Sequence, residues 1–200
     1  MNHESALPVR FILSIKPTQY FEQGPTNCGA YSTKAILSAY GVDDSIRLGE
    51  LYAGSVSRAL GIGLRRDYWI PVLQARGIEA GGHNAFRYSD SEKIALLKRL
   101  LAGNTPVMLR IGNGYILSQK YNPFFGKVVG HWITLWGYDG DVFYVYDSGV
   151  RRKHWNTEIP VGNTTRTSDE ILRDWNFGAK QFWYWPIYGR ETYQYISVKR

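Results

Sequence analysis

The sequence predicts an α+β fold in a single domain. Three observations carry that prediction. Helix-length segments, each opened by a polar residue and followed closely by glycine, fill the first half of the chain. Short runs rich in aromatic and β-branched residues fill most of the second half. No repeat, low-complexity linker or break in composition divides the 200 residues, a length that suits one globular unit with a substantial core.

The elements follow in order. Phe11 to Ile15 reads as a strand. Helices are expected over Asn27 to Tyr40 ending at Gly41, Ser45 to Leu60 ending at Gly61, Asp67 to Ala75 ending near Gly77, and Asp90 to Ala102 ending at Gly103. Strands are expected over Thr105 to Ile111, His131 to Gly137, Asp141 to Asp147, Phe182 to Ile187 and Tyr193 to Val198. Between them, Thr167-Ser-Asp-Glu170 is a capping box that opens a helix carrying Ile171, Leu172 and Trp175 on one side. Helices first and strands later is the order of an α+β protein.

Composition narrows the function. The chain is 44% hydrophobic and 15% aromatic, which excludes intrinsic disorder. Its opening, MNHESALPVR, has neither the basic segment nor the apolar run of a secretory signal, and no window approaches a membrane span, so a soluble protein without membrane association is expected. A cytoplasmic location and export by a signal-independent route both fit. Net charge is +7, yet the basic residues lie in short separated groups (Arg65-Arg66, Arg151-Arg152-Lys153, Lys199-Arg200), so no nucleic-acid partner is expected. The oligomeric state is open. One cysteine excludes an internal disulfide framework and a cysteine-based zinc cage. His3, His83, His131 and His154 lie far apart, so no metal site and no cofactor are expected, and His83 and His154 read as surface residues.

That single thiol, Cys28, stands at the expected start of a helix built from Gly29, Ala30, Ser32, Thr33, Ala35, Ser38 and Ala39. Unsatisfied amides and the partial positive charge of a helix N-terminus favour thiolate over thiol, and small residues allow close approach by another part of the fold. The plainer reading is a buried small residue. A base is sought among the histidines. In GHWITLWGYDGDVFYVYDSG, a three-residue loop Tyr138-Asp139-Gly140 with Gly140 left-handed would pair Leu135 with Phe143, Ile133 with Val145 and His131 with Asp147 on one face. A two-residue turn at Asp139-Gly140 would put Asp147 on the opposite face. A histidine beside a carboxylate at a strand end suits a base that activates a thiol; a purely structural His–Asp bond is the alternative.

With these residues in view, the sequence resembles the papain-like cysteine peptidases of the C39-like branch. The matching residues are Gln23, Cys28-Gly29-Ala30, His131 with Gly137, and Asp147, followed by the helix at Asp169 to Trp175. The resemblance spans roughly Gln23 to Trp175 and implies a papain-like two-lobed fold. A helical lobe over about 23–103 would pack on a C-terminal antiparallel β-sheet over about 104–200. It also implies a mechanism through a thioester on Cys28, with His131 as base and acid and Asp147 orienting His131. Gln23 and the Cys28 N–H would receive the oxyanion, Gly24-Pro25 would form the turn that carries Gln23 back over the helix end, and the substrate would be a peptide or protein. Sulfur, imidazole and carboxylate are expected to meet in a solvent-reachable groove. Gln23 stands one residue nearer Cys28 than the family pattern, and Ser148-Gly149 follow Asp147 where the family has proline. Tyr115 to Val129 would form a loop over the cleft and set specificity. An acyl transferase or transglutaminase-like enzyme on the same scaffold, or a binding module without activity, uses the same residues.

Overall fold

Aromatic and β-branched residues between Val107 and Tyr146 form the centre of a seven-stranded, wholly antiparallel sheet. The computed structural model describes residues 6–24, 27–42, 47–52, 66–115, 120–177 and 193–200. The strands are β1 (Arg10–Ile12), β2 (Glu79–Asn84), β3 (Val107–Gly112), β4 (Gly130–Asp139), β5 (Val142–Tyr146), β6 (Thr164–Thr167) and β7 (Gln194–Lys199). Their order is β2-β7-β3-β4-β5-β6, and β1 pairs with the far end of β4, Ile12 opposite Gly137. Every residue of β3 is buried, as is β4 from His131 to Tyr138, so both faces of the central strands are covered.

Five α-helices among the described residues provide that cover: α1 (Cys28–Ala39), α2 (Arg66–Gln74), α3 (Asp90–Ala102), α4 (Pro123–Val128) and α5 (Ser168–Trp175). Helix α1 packs on β4, where Ser32 Oγ donates to the Trp132 carbonyl at 3.1 Å, and α2 packs against α1, β2 and β7. Helices α3 and α5 touch each other and β3. Both begin in a full capping box, Ser89 with Glu92 and Thr167 with Glu170, which satisfies two otherwise orphaned amides at each helix start. Among the described residues no helix is long and apolar enough to cross a membrane.

Most expected elements form within one or two residues of their expected ends. The helix expected over Ser45 to Leu60 lies largely outside the described residues, which hold a 3-10 turn at Leu48–Leu51; the strand expected over Phe182 to Ile187 lies outside them altogether. Strands β2 and β6 and helix α4 were not expected. The hairpin register also differs. Asp139 pairs with Val142 around a two-residue Gly140-Asp141 turn, with Gly140 left-handed at φ +52°, and a bulge at Trp136 shifts the pairing so that Leu135 faces Val145. The bulge restores the parity that the shorter turn alone would break. Asp147 therefore shares a face with His131, diagonally rather than directly opposite.

Candidate active site

Cys28 is the first residue of α1, preceded by Asn27, which caps the helix without a side-chain hydrogen bond. The small residue after it has a steric cause. A Cβ on Gly29 would sit 2.3 Å from the indole of Trp69 on α2, so only glycine lets that fully buried ring close over the helix start. His131, the second residue of β4, stands beside Cys28, close enough for hydrogen bonding and charge to act on the thiol. Its Nε2 donates to Asp147 Oδ1 at 2.6 Å, which leaves Nδ1 as the ring nitrogen for the sulfur.

Cys28, His131 and Asp147 are all buried, with 6%, 1% and 3% of their surfaces exposed. The three side chains lie together, and Cys28 is buried rather than open to solvent in the expected groove. Burial by itself disfavours the charged form of each group, and here the partner charges outweigh it. Burial pushes the Cys28 thiol up, but the hydrogen bond and charge of His131 bring it below its ordinary value. Burial pushes His131 down, but the Asp147 carboxylate and then Cys28 hold it above its ordinary value. Asp147 is held well below the usual carboxylate range by His131 and Arg166 against the same opposing burial. All three directions favour a thiolate beside an imidazolium.

Asp147 is held from every side. Oδ1 also accepts from the Gly149 amide at 2.8 Å, and Oδ2 accepts from Arg166 Nη2 at 2.9 Å. Asn163 brackets the aspartate's main chain, accepting from its N–H and donating to its carbonyl, each at 2.9 Å. Arg166, itself buried on β6, also pairs with Asp174 of α5 at 3.4 Å and lies 4.7 Å from the Tyr115 ring centre. Asn163, Arg166 and Asp174 escaped the sequence reading because their partners are set by strand pairing, not by spacing along the chain.

Gln23 is half-buried beside Ser148. Its backbone N–H donates to the Ser148 carbonyl at 2.8 Å, and its side-chain Oε1 accepts from Ser148 Oγ at 2.6 Å. The departure from the family pattern after Asp147 is therefore used: Ser148 supplies a hydroxyl that proline lacks, and the Gly149 N–H binds Asp147. The Gly24-Pro25 turn runs past the described residues at Pro25. In the segment before His131, Pro123–Val128 form α4, and Tyr121, Pro123, Gly126 and Lys127 line a pocket of about 270 Å³ with Arg173, Asn176 and Phe177, a lining that includes none of Cys28, His131 and Asp147. His154 is exposed, and His83, also exposed, bonds Ser197 Oγ at 3.1 Å and stacks on Tyr195, partners the sequence reading lacked.

Solved structures align with almost the whole chain, among them the following two. One is designated a C39-like peptidase from Bacillus anthracis, with a TM-score of 0.57, 14% identity and coverage of 96% of this chain and 98% of that one. The chain has the fold of the C39-like peptidases. The other is a double glycine motif protease from an AMS/PCAT transporter, solved in complex with the leader peptide, with a TM-score of 0.51, 14% identity and coverage of 96% of this chain and all of that one. No family model matches the chain, and no curated protein matches it.

Proposed function

We propose that the protein is a cysteine peptidase or related amide hydrolase that uses Cys28 as nucleophile. The observation that carries this reading is the buried relay from sulfur to carboxylate. Cys28 stands beside His131, and His131 bonds Asp147 at 2.6 Å, with both shifts in acidity favouring the ion pair. The C39-like fold supports the same class of chemistry, and the leader peptide bound to one neighbour supports a peptide substrate.

In this reading the Cys28 thiolate attacks the substrate carbonyl and forms a tetrahedral intermediate. His131 gives its proton to the leaving amine as the thioester forms, then takes one from water for the second half-reaction. Asp147 keeps the imidazole oriented and stabilises its charged form. The Gln23 side-chain N–H and the Cys28 backbone N–H receive the oxyanion. Gln23 supports this role by the direction of its amide: Oε1 is taken up by Ser148, which leaves Nε2 as a donor.

Peptides carrying a Gly-Gly motif are the first substrates to test, because a neighbour's substrate class is the most direct guide to this one. Cleavage followed by mass spectrometry is expected for the wild type and abolished in Cys28→Ser. Cleavage that survives Cys28→Ser would overturn the reading. Adding an amine acceptor separates hydrolysis from acyl transfer, since transfer yields an amide product in place of the acid.

A further inference from the structure

A bond between an oxyanion donor and its neighbour decides which end of the donor faces the reaction. A glutamine carboxamide presents either an acceptor oxygen or a donor nitrogen, and the two differ by a half-turn about the last bond. We propose that Ser148 is a positioning residue that holds the Gln23 carboxamide with its N–H toward the oxyanion; this rests on the reading of Gln23 given above.

The segment before Gln23 is fixed along its length. The Tyr146 hydroxyl accepts from the Phe21 N–H at 3.2 Å and donates to the Phe21 carbonyl at 3.0 Å, and Tyr20 accepts from the Gly162 N–H at 2.8 Å through its own hydroxyl. The Arg152 N–H donates to Glu22 at 2.9 Å. Gln23 continues this run with its backbone on the Ser148 carbonyl. With the main chain pinned, the side-chain torsions are the freedom left, and the fully buried Ser148 hydroxyl restricts them, the terminal amide rotation included, by donating to Oε1 at 2.6 Å. The reversed amide would spend Nε2 on Ser148 and turn an oxygen lone pair toward a developing negative charge. Ser148 follows Asp147 directly, and Gly149 donates to that carboxylate. One turn of chain thus holds the orienter of the base and the orienter of the oxyanion donor.

Two generic reagents separate these functions. Acyl transfer from 4-nitrophenyl acetate passes through an oxyanion: sulfur bonds the carbonyl carbon, 4-nitrophenolate leaves, and water cleaves the acetyl thioester to acetate and the regenerated thiol. Alkylation by iodoacetamide displaces iodide and forms no oxyanion. Losing one oxyanion donor costs about a hundredfold or more on amide substrates, so Gln23→Ala is expected to slow ester turnover by about tenfold or more, and Ser148→Ala by about threefold or more. Each variant's ester turnover is therefore read relative to its own rate of Cys28 alkylation, which reports the thiolate without an oxyanion. The double variant is expected to match Gln23→Ala alone, because a residue acting only through Gln23 has no effect once Gln23 is gone.

Ester turnover at the wild-type rate in Ser148→Ala, or an undiminished further loss on the Gln23→Ala background, overturns the proposal while leaving the Cys28 mechanism standing. Wild-type turnover in Gln23→Ala removes the reading of Gln23 itself. Should Ser148→Ala not fold, Ser148→Gly tests the same bond, because it also removes the hydroxyl that holds Oε1. Its ester turnover is expected about threefold or more below the wild type, and turnover at the wild-type rate overturns the proposal.

Discussion

Gly29 is where backbone and side-chain packing meet at the candidate nucleophile. A Cβ there would lie 2.3 Å from Trp69, closer than packed atoms tolerate, and Trp69 is fully buried. Gly29→Ala is expected to destabilise the protein by about 1–3 kcal/mol through overpacking, offset in part by about 1 kcal/mol of helix propensity, as read by urea unfolding. Gly103→Ala is the matched control, because its Cβ would meet nothing closer than 3.4 Å. The Cys-Gly pair was legible in the sequence as a helix start beside a reactive thiol. The cause of the glycine was not, because Trp69 comes from a different helix. Arg166 is similar: its charge suggests a surface residue, and only the pairing of β5 with β6, Phe143 opposite Arg166, brings it to Asp147.

Elements were legible where local chemistry specifies them. The capping box at Thr167 named the start of α5 to the residue, since the signal is a hydroxyl and a carboxylate three positions apart. Thr167→Ala is expected to lower stability by about 1 kcal/mol, with circular dichroism of the folded state unchanged; a loss below about 0.3 kcal/mol would mean that packing on β3, not capping, sets the helix start. Where an element depends on its partners, the sequence was silent. Strand β2, EAGGHN, has two glycines and no apolar alternation, and it is a strand because β7 pairs with all six of its residues. The hairpin register failed for a related reason. Gly137 lies against the backbone of β1, where a Cβ would meet the Phe11 carbonyl at 2.5 Å, and the bulge at Trp136 accommodates that crossing.

At the scale of the whole molecule, the fold class followed from the order of helices and strands, while the site depends on contacts between remote parts of the chain. The start of α1, the start of β4 and the turn after β5 must meet for Cys28, His131 and Asp147 to form a relay, and Arg166 then ties that turn to α5 through Asp174. Convergence was readable from residue types; burial was not, because it depends on what covers the site rather than on the residues within it. The central claim is that this convergence shifts Cys28 toward the thiolate. Its thiol lies below the ordinary value and His131 above its own, so the ion pair occupies the interval between the two, and alkylation falls only as acid protonates the sulfur. Removing His131 leaves burial alone, which raises the thiol. The rate of Cys28 alkylation by iodoacetamide, followed by mass spectrometry from pH 5 to pH 10 in the wild type and in His131→Ala, tests this most directly. The wild type is expected to reach its half-maximal rate below the ordinary thiol value, about pH 8.5, with His131→Ala slower at pH 7 and still rising at pH 9. Superimposable profiles, or a wild-type Cys28 that the reagent does not reach at any pH, would contradict the account.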